Sequence, residues 1–186
     1  MRIIAGTHRG RTLASPADTT IRPTSDKVRG AIFNILAHGD FPIDPFDETT
    51  RVIDAFCGSG ALGLEALSRG AGFALFLDNA TSSLQLAKAN AGTLKVQKQG
   101  AFEMRDLVQP QTWRHEPFHL IFLDPPYRKN FPAPALAILD QGRFIAERAL
   151  AVIETGADEE LQPPKGWDVV DSRSWGDTAA HFLVRG

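Results

Sequence analysis

From Arg51 onward, short apolar runs alternate with segments of helical periodicity, and this alternation restricts the fold more than any other feature of the chain. Buried strands are predicted at RVIDAF, GFALFLD, FHLIFLD and ALAVIETG, with a weaker strand at AFEMRD. Helices are predicted between them at ALGLEALSRG, TSSLQLAKANAGTL and PAPALAILDQGRFI. Strands that alternate with helices build a parallel sheet covered on both faces.

The C-terminal segment departs from this alternation. GWDVVDSRSWGDTAAHFLVRG contains two strand-like stretches with a turn near Gly176 and no helix between them. We therefore expect an α/β fold with a doubly wound, mostly parallel seven-stranded sheet, an antiparallel C-terminal hairpin at its edge and a small N-terminal extension. In such a sheet, ligands bind beyond the carboxyl ends of the strands.

Charge is distributed unevenly along the chain, although its 186 residues carry a formal net charge of only −2. That balance argues against a domain that covers nucleic acid with its whole surface. Residues 1–30 hold six Arg or Lys and two Asp, a balance of 6 − 2 = +4, which leaves −6 for the other residues. Taken alone, this asymmetry favours a solvated basic tail over a polyanion-binding surface.

The sequence gives no sign of export or membrane insertion. The lone Cys57 excludes an internal disulfide, and no apolar run is long enough to span a bilayer. The first residues lack the apolar core of a secretion signal, so a cytoplasmic protein is expected.

A glycine-rich turn follows the first predicted strand. The motif G-x-G-x-x-G is formed by Gly58, Gly60 and Gly63. This spacing is a dinucleotide-binding fingerprint, but it also fits a tight turn without a ligand. Asp54 would repel a pyrophosphate and attract the ammonium and sulfonium of S-adenosylmethionine. Asp78, at the end of the next strand, suits the ribose hydroxyls of either NAD or S-adenosylmethionine.

Asp106 follows the weaker strand and has two interpretations. It is positioned to accept a hydrogen bond from an adenine amino group, or it caps its own loop. Considered singly, the residue favours the second interpretation.

The fourth predicted strand along the chain is followed by Asp124, Pro125, Pro126 and Tyr127, in the run FHLIFLDPPY. These residues suit an ordinary turn, but they also suit the chemistry of an aromatic amine. The Asp124 carboxylate and the Pro125 carbonyl would accept its two N–H groups and aim the nitrogen lone pair at a methyl donor. Tyr127 would stack on the base. No metal is expected, because the histidines are scattered along the chain.

These segments carry a resemblance. VIDAFCGSGALGLEALSRGA followed by IFLDPPY is similar to the class I S-adenosylmethionine-dependent methyltransferases that modify exocyclic amines. MRIIAGTHRGRTL, IRPTSDKVRGAIFNIL and SWGDTAAHFLV resemble one family more narrowly, the RsmD family of bacterial 16S rRNA guanine-N2 methyltransferases. The resemblance covers nearly the whole chain and implies a Rossmann-like class I methyltransferase fold. It implies methyl transfer from S-adenosyl-L-methionine to N2 of one specific guanine, in a monomer that acts on the assembled 30S subunit.

The resemblance also assigns residues, one by one, to roles. It implies catalytic roles for Asp124, Pro125 and Tyr127, and cofactor contacts from Asp54, Gly58, Gly60, Asp78 and Asp106. It makes the basic N-terminal segment an rRNA-binding surface through Arg9, Arg11, Arg22 and Lys27, which reverses the interpretation from charge alone.

Two units are expected, an N-terminal basic extension of strands plus a helix (residues 1–40) and a cofactor-binding methyltransferase domain (residues 41–186). The helix is predicted at SDKVRGAIFNILAH, with Thr24 or Ser25 as its cap and Lys27 on its basic face. Gly30 inside it should cost about 1 kcal/mol relative to alanine.

Other functions stay open at this point. The same chemistry could act on adenine N6 or on a protein glutamine, because DPPY is shared with enzymes that modify other amines. The glycine spacing leaves an NAD-dependent oxidoreductase as a remote alternative, and a noncatalytic RNA-binding assembly factor is a third.

Overall fold

The computed structural model describes residues 1–15, 25–125 and 132–186. Its helices are α1 (Asp26–His38), α2 (Ala61–Arg69), α3 (Thr81–Leu94) and α4 (Pro132–Gln141). Its strands are β1 (Arg51–Ala55), β2 (Phe73–Asp78), β3 (Gly100–Met104), β4 (Phe118–Leu123), β5 (Ile145–Gly156), β6 (Trp167–Trp175) and β7 (Thr178–Arg185). A short 3-10 turn, Gln97–Gln99, connects α3 to β3.

The seven strands form one sheet in the order β3-β2-β1-β4-β5-β7-β6. Strands β1 to β5 run parallel, whereas β7 is antiparallel to both β5 and β6. The turn between β6 and β7 contains Gly176, with a φ of 62°. The doubly wound sheet and its C-terminal hairpin are therefore confirmed. The chain reverses its direction across the sheet between β1 and β4, so the ligand crevice is expected at the carboxyl ends of these two strands.

The boundary between α4 and β5 differs from the prediction. PAPALAILDQGRFI is predicted to be one helix, but α4 ends at Gln141 and β5 already begins at Ile145. The Gly142 N–H bonds to the Ile138 carbonyl at 2.9 Å, and Arg143 adopts a left-handed φ of 65°, a combination that ends a helix. The apolar residues of RFI fit a helix end and a strand start equally well, which is why their pattern did not separate the two.

Two hydrophobic layers lie on the two faces of the sheet. One packs α1, α2 and α3 against strand residues such as Val52, Phe76 and Phe122. The other packs α4 and the loop before β4 against the alternate strand residues, such as Ile53 and Leu123. This alternation is the two-residue period of a strand, so helices cover both faces as expected. Across the described ranges of the chain, no helix is long and apolar enough to cross a membrane.

Helix α1 begins at its predicted cap. The Ser25 hydroxyl accepts a hydrogen bond from the Val28 N–H at 3.2 Å. Gly30 lies inside the helix, where an added Cβ would be 3.6 Å from Ile4 Cδ1, an ordinary van der Waals distance. The helix therefore has room for alanine at this position, and the glycine is not required by packing.

The first residues form a compact loop rather than the strands expected in the N-terminal extension. Arg2 and Thr12 make a single antiparallel bridge, and the Ile3 N–H donates to the Arg11 carbonyl at 2.9 Å. Ile3 and Leu13 are buried in the same layer as α1, α2 and the sheet. The described part of residues 1–40 thus shares the core of the sheet, and a domain boundary after residue 40 stays a prediction.

Candidate active site

Three carboxylates come together at the carboxyl edge of the sheet. Asp54 is the fourth residue of β1, Asp78 is the last of β2 and Asp124 directly follows β4. These strands are neighbours in the sheet, and the charges of Asp78 and Asp124 both act on Asp54. The acids that end separate apolar runs in the sequence therefore form one cluster of carboxyl groups.

The glycine-rich turn connects β1 to α2 beside this cluster. Gly58 and Gly60 have φ values of 52° and 76°, a region that favours glycine. A Cβ on Gly60 would also lie 3.0 Å from the Ala87 Cβ, and a Cβ on Gly63 would lie 2.5 Å from the Phe76 ring. A Cβ on Gly58 would project into open space, so only the backbone conformation favours glycine there, whereas Gly63 permits the helix to approach the sheet.

Protein acceptors already bind the N–H groups of this turn. The Gly58 N–H donates to Asp78 Oδ2 at 3.1 Å, and the Gly63 N–H donates to Asp54 Oδ2 at 2.8 Å. The Gly60 N–H donates to the Cys57 carbonyl at 2.7 Å. A pyrophosphate needs such N–H groups for itself, and here it would also meet two carboxylates. The geometry therefore disfavours a dinucleotide and favours a cationic ligand.

The electrostatics of Asp54 support the same conclusion. Its side chain is 2% exposed. Burial raises the pKa of Asp54 to about 8; the Gly63 N–H opposes this shift, and the charges of Asp124 and Asp78 add to it. A positive ligand group placed here would offset both the burial and the repulsion. Burial also raises the pKa of the Cys57 thiol, with Asp54 and Asp78 adding to the effect, so this thiol stays neutral.

Asp106 lies in the exposed loop after β3 and caps it. Its Oδ1 accepts from the Val108 N–H at 3.2 Å, and its carbonyl accepts from the Gln109 N–H at 3.1 Å. This is the loop-capping geometry that was the favoured interpretation of the residue alone. A contact with adenine stays a prediction.

Asp124 and Pro125 are the part of the amine-binding stretch that the structure describes. Asp124 is half-buried and Pro125 is buried, directly beyond the end of β4. Pro126 and Tyr127 lie outside the described residues. The acid and the carbonyl that were predicted to hold the amine therefore follow β4, the strand that pairs with the Asp54 strand β1.

The basic N-terminal residues lie on the surface. Arg9, Arg11 and Lys27 are exposed, and Arg22 lies outside the described residues. Arg9 and Arg11 belong to the loop that the Arg2 to Thr12 bridge closes. Their guanidinium groups are thus accessible to a polyanion, while the role of the surface stays a prediction.

Two side chains of α2 that the sequence analysis did not identify hold this loop. Glu65 is fully buried and accepts from the Ile4 N–H at 2.7 Å and the Ala5 N–H at 3.0 Å, while it also pairs with Arg69 at 2.8 Å. The Ser68 hydroxyl donates to the Ala5 carbonyl at 2.6 Å. A single acid inside an apolar helix was the only available signal for Glu65.

Glu154 is a further acid that the sequence analysis did not identify. It is 2% exposed and lies near the end of β5. Because Leu123 pairs with Ile153, Glu154 lies within β5 at the level where Asp124 follows β4. The signal was present, since AVIE ends an apolar run with an acid in the same way as the run that ends at Asp54.

The sheet order, the glycine turn and the strand-end carboxylates define a Rossmann-like class I methyltransferase. Residues 1–184 match the model of the family described as Conserved hypothetical protein 95. The chain belongs to this family, the RsmD family. Ribosomal RNA small subunit methyltransferase D of Haemophilus influenzae is 34% identical over 95% of this chain and 89% of its own length. The Escherichia coli protein of the same name is 35% identical over 100% and 90%.

Solved structures show the same relationship. The yhhF protein of Escherichia coli is 30% identical and superimposes with a TM-score of 0.80 over 100% of this chain and 97% of its own. The predicted family and fold are therefore confirmed.

Proposed function

We propose that this protein transfers a methyl group from S-adenosyl-L-methionine to the exocyclic N2 amine of one guanine in small-subunit rRNA. The observation that carries the proposal is the position of Asp124 and Pro125, which follow β4 directly beside the Asp54 end of β1. The relatives that are named ribosomal RNA small subunit methyltransferase D support the substrate class.

The residues of the crevice fit S-adenosylmethionine. This molecule supplies an electrophilic methyl group on a positively charged sulfur, together with an ammonium group. That positive charge would offset the burial and the charges of Asp124 and Asp78, which oppose the ionisation of Asp54, and the ionised carboxylate would in turn stabilise the cation. Asp78 Oδ1 and Oδ2 accept from Ala80 and Gly58, and the carboxylate retains lone pairs for the ribose hydroxyls.

Asp124 and Pro125 would act on the amine. The nitrogen lone pair of an aromatic amine is delocalised into the ring, so it reacts poorly unless it is oriented. The Asp124 carboxylate and the Pro125 carbonyl would each accept one N–H, which directs the lone pair towards the methyl carbon. As positive charge develops on nitrogen, the Asp124 carboxylate stabilises it and then accepts the proton that the alkylated amine releases.

The basic surface extends the same proposal to RNA. Arg9, Arg11, Arg22 and Lys27 would contact phosphates around the target, and Tyr127 would stack on the base. A guanine inside folded RNA must be extruded before it reaches Asp124, and one small domain has little surface for this task. We therefore expect the assembled 30S subunit to be a better substrate than free 16S rRNA, and the enzyme to act as a monomer.

Methyl transfer to 30S particles and to free 16S rRNA, both from cells that lack this protein, tests the proposal. Mass-spectrometric mapping should find one methylated guanine, formed faster in the particle. Asp124→Asn should lower kcat about 10²-fold or more, because it removes the negative charge at the amine. Asp168→Asn, at an exposed position on β6, is the matched control and should retain the rate. Methylation of adenine, or of no nucleotide, would overturn the proposal.

A further inference from the structure

We propose that Asn90 is a positioning residue that couples the methyl-donor loop to the N-terminal RNA-binding segment, so that binding of one ligand strengthens binding of the other. The inference rests on the proposed function and adds a mechanism of regulation to it. Asn90 lies on α3, is 1% exposed, and takes no part in the chemistry described above.

The side-chain amide of Asn90 connects two segments that are far apart in sequence. Its Oδ1 accepts from the Ala14 N–H at 2.8 Å, and its Nδ2 donates to the Ala14 carbonyl at 3.0 Å. The second Nδ2 hydrogen donates to the Ser59 carbonyl at 2.9 Å. Both donors and the acceptor of the amide are thus engaged, and a rotated amide would place its oxygen against two carbonyl oxygens.

The Ser59 carbonyl belongs to the glycine turn itself. The peptide that contains it joins Ser59 to Gly60, and Gly60 packs so closely on α3 that an added Cβ would be 3.0 Å from the Ala87 Cβ. Asn90 is three residues beyond Ala87 and lies on the same face of α3. One face of α3 therefore sets both the position and the peptide orientation of the turn.

Ala14 belongs to the basic segment. It follows the loop that carries Arg9 and Arg11, and the other end of that loop also contacts the turn, since the Ser59 hydroxyl lies 3.5 Å from the Met1 sulfur. The N-terminal segment therefore contacts Ser59 in two ways, through Asn90 at its carbonyl and through Met1 at its hydroxyl.

A shared buried contact of this kind couples the two binding events. A methyl donor that fixes the turn also fixes Ser59, and through Asn90 it fixes Ala14 and the segment that meets RNA. Thermodynamic linkage then requires RNA to increase the affinity for the donor by the same factor.

Equilibrium dialysis with radiolabelled S-adenosylhomocysteine tests the coupling. The probes are the full-length protein and 30S particles from cells that lack it. In the wild type, the Kd for S-adenosylhomocysteine should fall at least about fivefold when particles are saturating, and the Kd for particles should fall equally with S-adenosylhomocysteine. In Asn90→Ala, the ratio of the Kd for S-adenosylhomocysteine without particles to the Kd with particles should lie within twofold of one.

Leu94→Ala is the matched control. Leu94 is buried one turn further along α3, so its truncation also destabilises the helix, but it should retain the wild-type ratio. A wild-type ratio near one, or a ratio that Asn90→Ala leaves unchanged, would overturn the inference.

Hydrogen exchange provides a second measurement in case Asn90→Ala does not fold. In the wild type, S-adenosylhomocysteine should slow hydrogen exchange of the Ala14 amide, which donates to Asn90. The exchange of the Gly39 amide, which donates to the Ile35 carbonyl, should not change. Unchanged exchange at Ala14 would overturn the coupling. Neither assay needs methyl transfer, so a protein that couples the ligands and methylates no rRNA would refute only the proposed function.

Discussion

Replacing Asp54 by asparagine should stabilise the folded protein at neutral pH, even though Asp54 lies in the candidate active site. Asparagine has almost the same shape and retains an oxygen for the Gly63 N–H, which donates to Asp54 at 2.8 Å. The change therefore removes the cost of burying an ionisable carboxyl without removing the contact that closes the turn.

The expected gain follows from proton linkage. Burial, with Asp124 and Asp78, raises the pKa of Asp54 from 3.8 to about 8. Below pH 3.8 the carboxyl is protonated whether the chain is folded or not, so its stabilising effect is fully present there. Between pH 3.8 and 8, folding must take up a proton, and stability falls by roughly 1.4 kcal/mol per pH unit. At pH 7 the free energy of unfolding of the wild type is therefore lower than at acidic pH by at most about 4 kcal/mol, a loss that the Asp54→Asn variant does not show.

Urea unfolding of the ligand-free proteins at several pH values from about 4 to 8 measures this difference. Asp54→Asn should match the wild type near the acidic limit and exceed it increasingly towards neutral pH. Asp47→Asn is the control, because hydrogen bonds from Thr49 lower the pKa of this exposed carboxyl from 3.8, so its contribution is lost only at lower pH and its difference from the wild type should not change between about pH 4 and 8. Equal stability of Asp54→Asn and the wild type at pH 7, or a difference that does not change with pH, would refute the reasoning.

Three further predictions concern the glycines and the ligand. Gly30→Ala should raise the free energy of unfolding by about 0.5 to 1 kcal/mol, because the methyl group meets only Ile4 at 3.6 Å. Gly63→Ala should lower it by about 1 to 3 kcal/mol, since its Cβ would overlap the Phe76 ring at 2.5 Å; denaturant unfolding measures both. In calorimetry, affinity for S-adenosylmethionine should increase as pH rises towards about 8, with proton release on binding, and Asp54→Asn should abolish this dependence.

The sequence predicted the elements whose signals are local. Each buried strand appears as an apolar run, and an acid at its end marks Asp54, Asp78 and Asp124 as neighbours once the sheet is parallel. The same rule identifies Glu154 when it is applied to every strand. The end of α4 was less predictable, because the apolar residues after Gly142 fit either element.

Contacts between distant segments were not predictable in the same way. Glu65 binds backbone N–H groups 60 and 61 residues away, and Asn90 binds Ala14 at a separation of 76. A backbone partner leaves no mark in the sequence, since every residue type except proline offers the same N–H group. Only a polar side chain on a helix face that is otherwise apolar indicates that such a partner exists.

The ligand preference of the turn depends on the residues around the glycines rather than on the glycines. G-x-G-x-x-G lets a backbone approach a ligand whether that ligand is a phosphate or a sulfonium. Here Asp78 and Asp54 accept the N–H groups of Gly58 and Gly63, so the donors that would bind a phosphate are occupied and the turn is lined with carboxyl groups. Burial, with the charges of Asp124 and Asp78, raises the pKa of Asp54, so the folded protein loses stability above the normal pKa of this carboxyl, and a cationic ligand reduces that cost. S-adenosylmethionine should therefore raise the unfolding temperature more at pH 8 than at pH 6, because more of the cost remains to be offset.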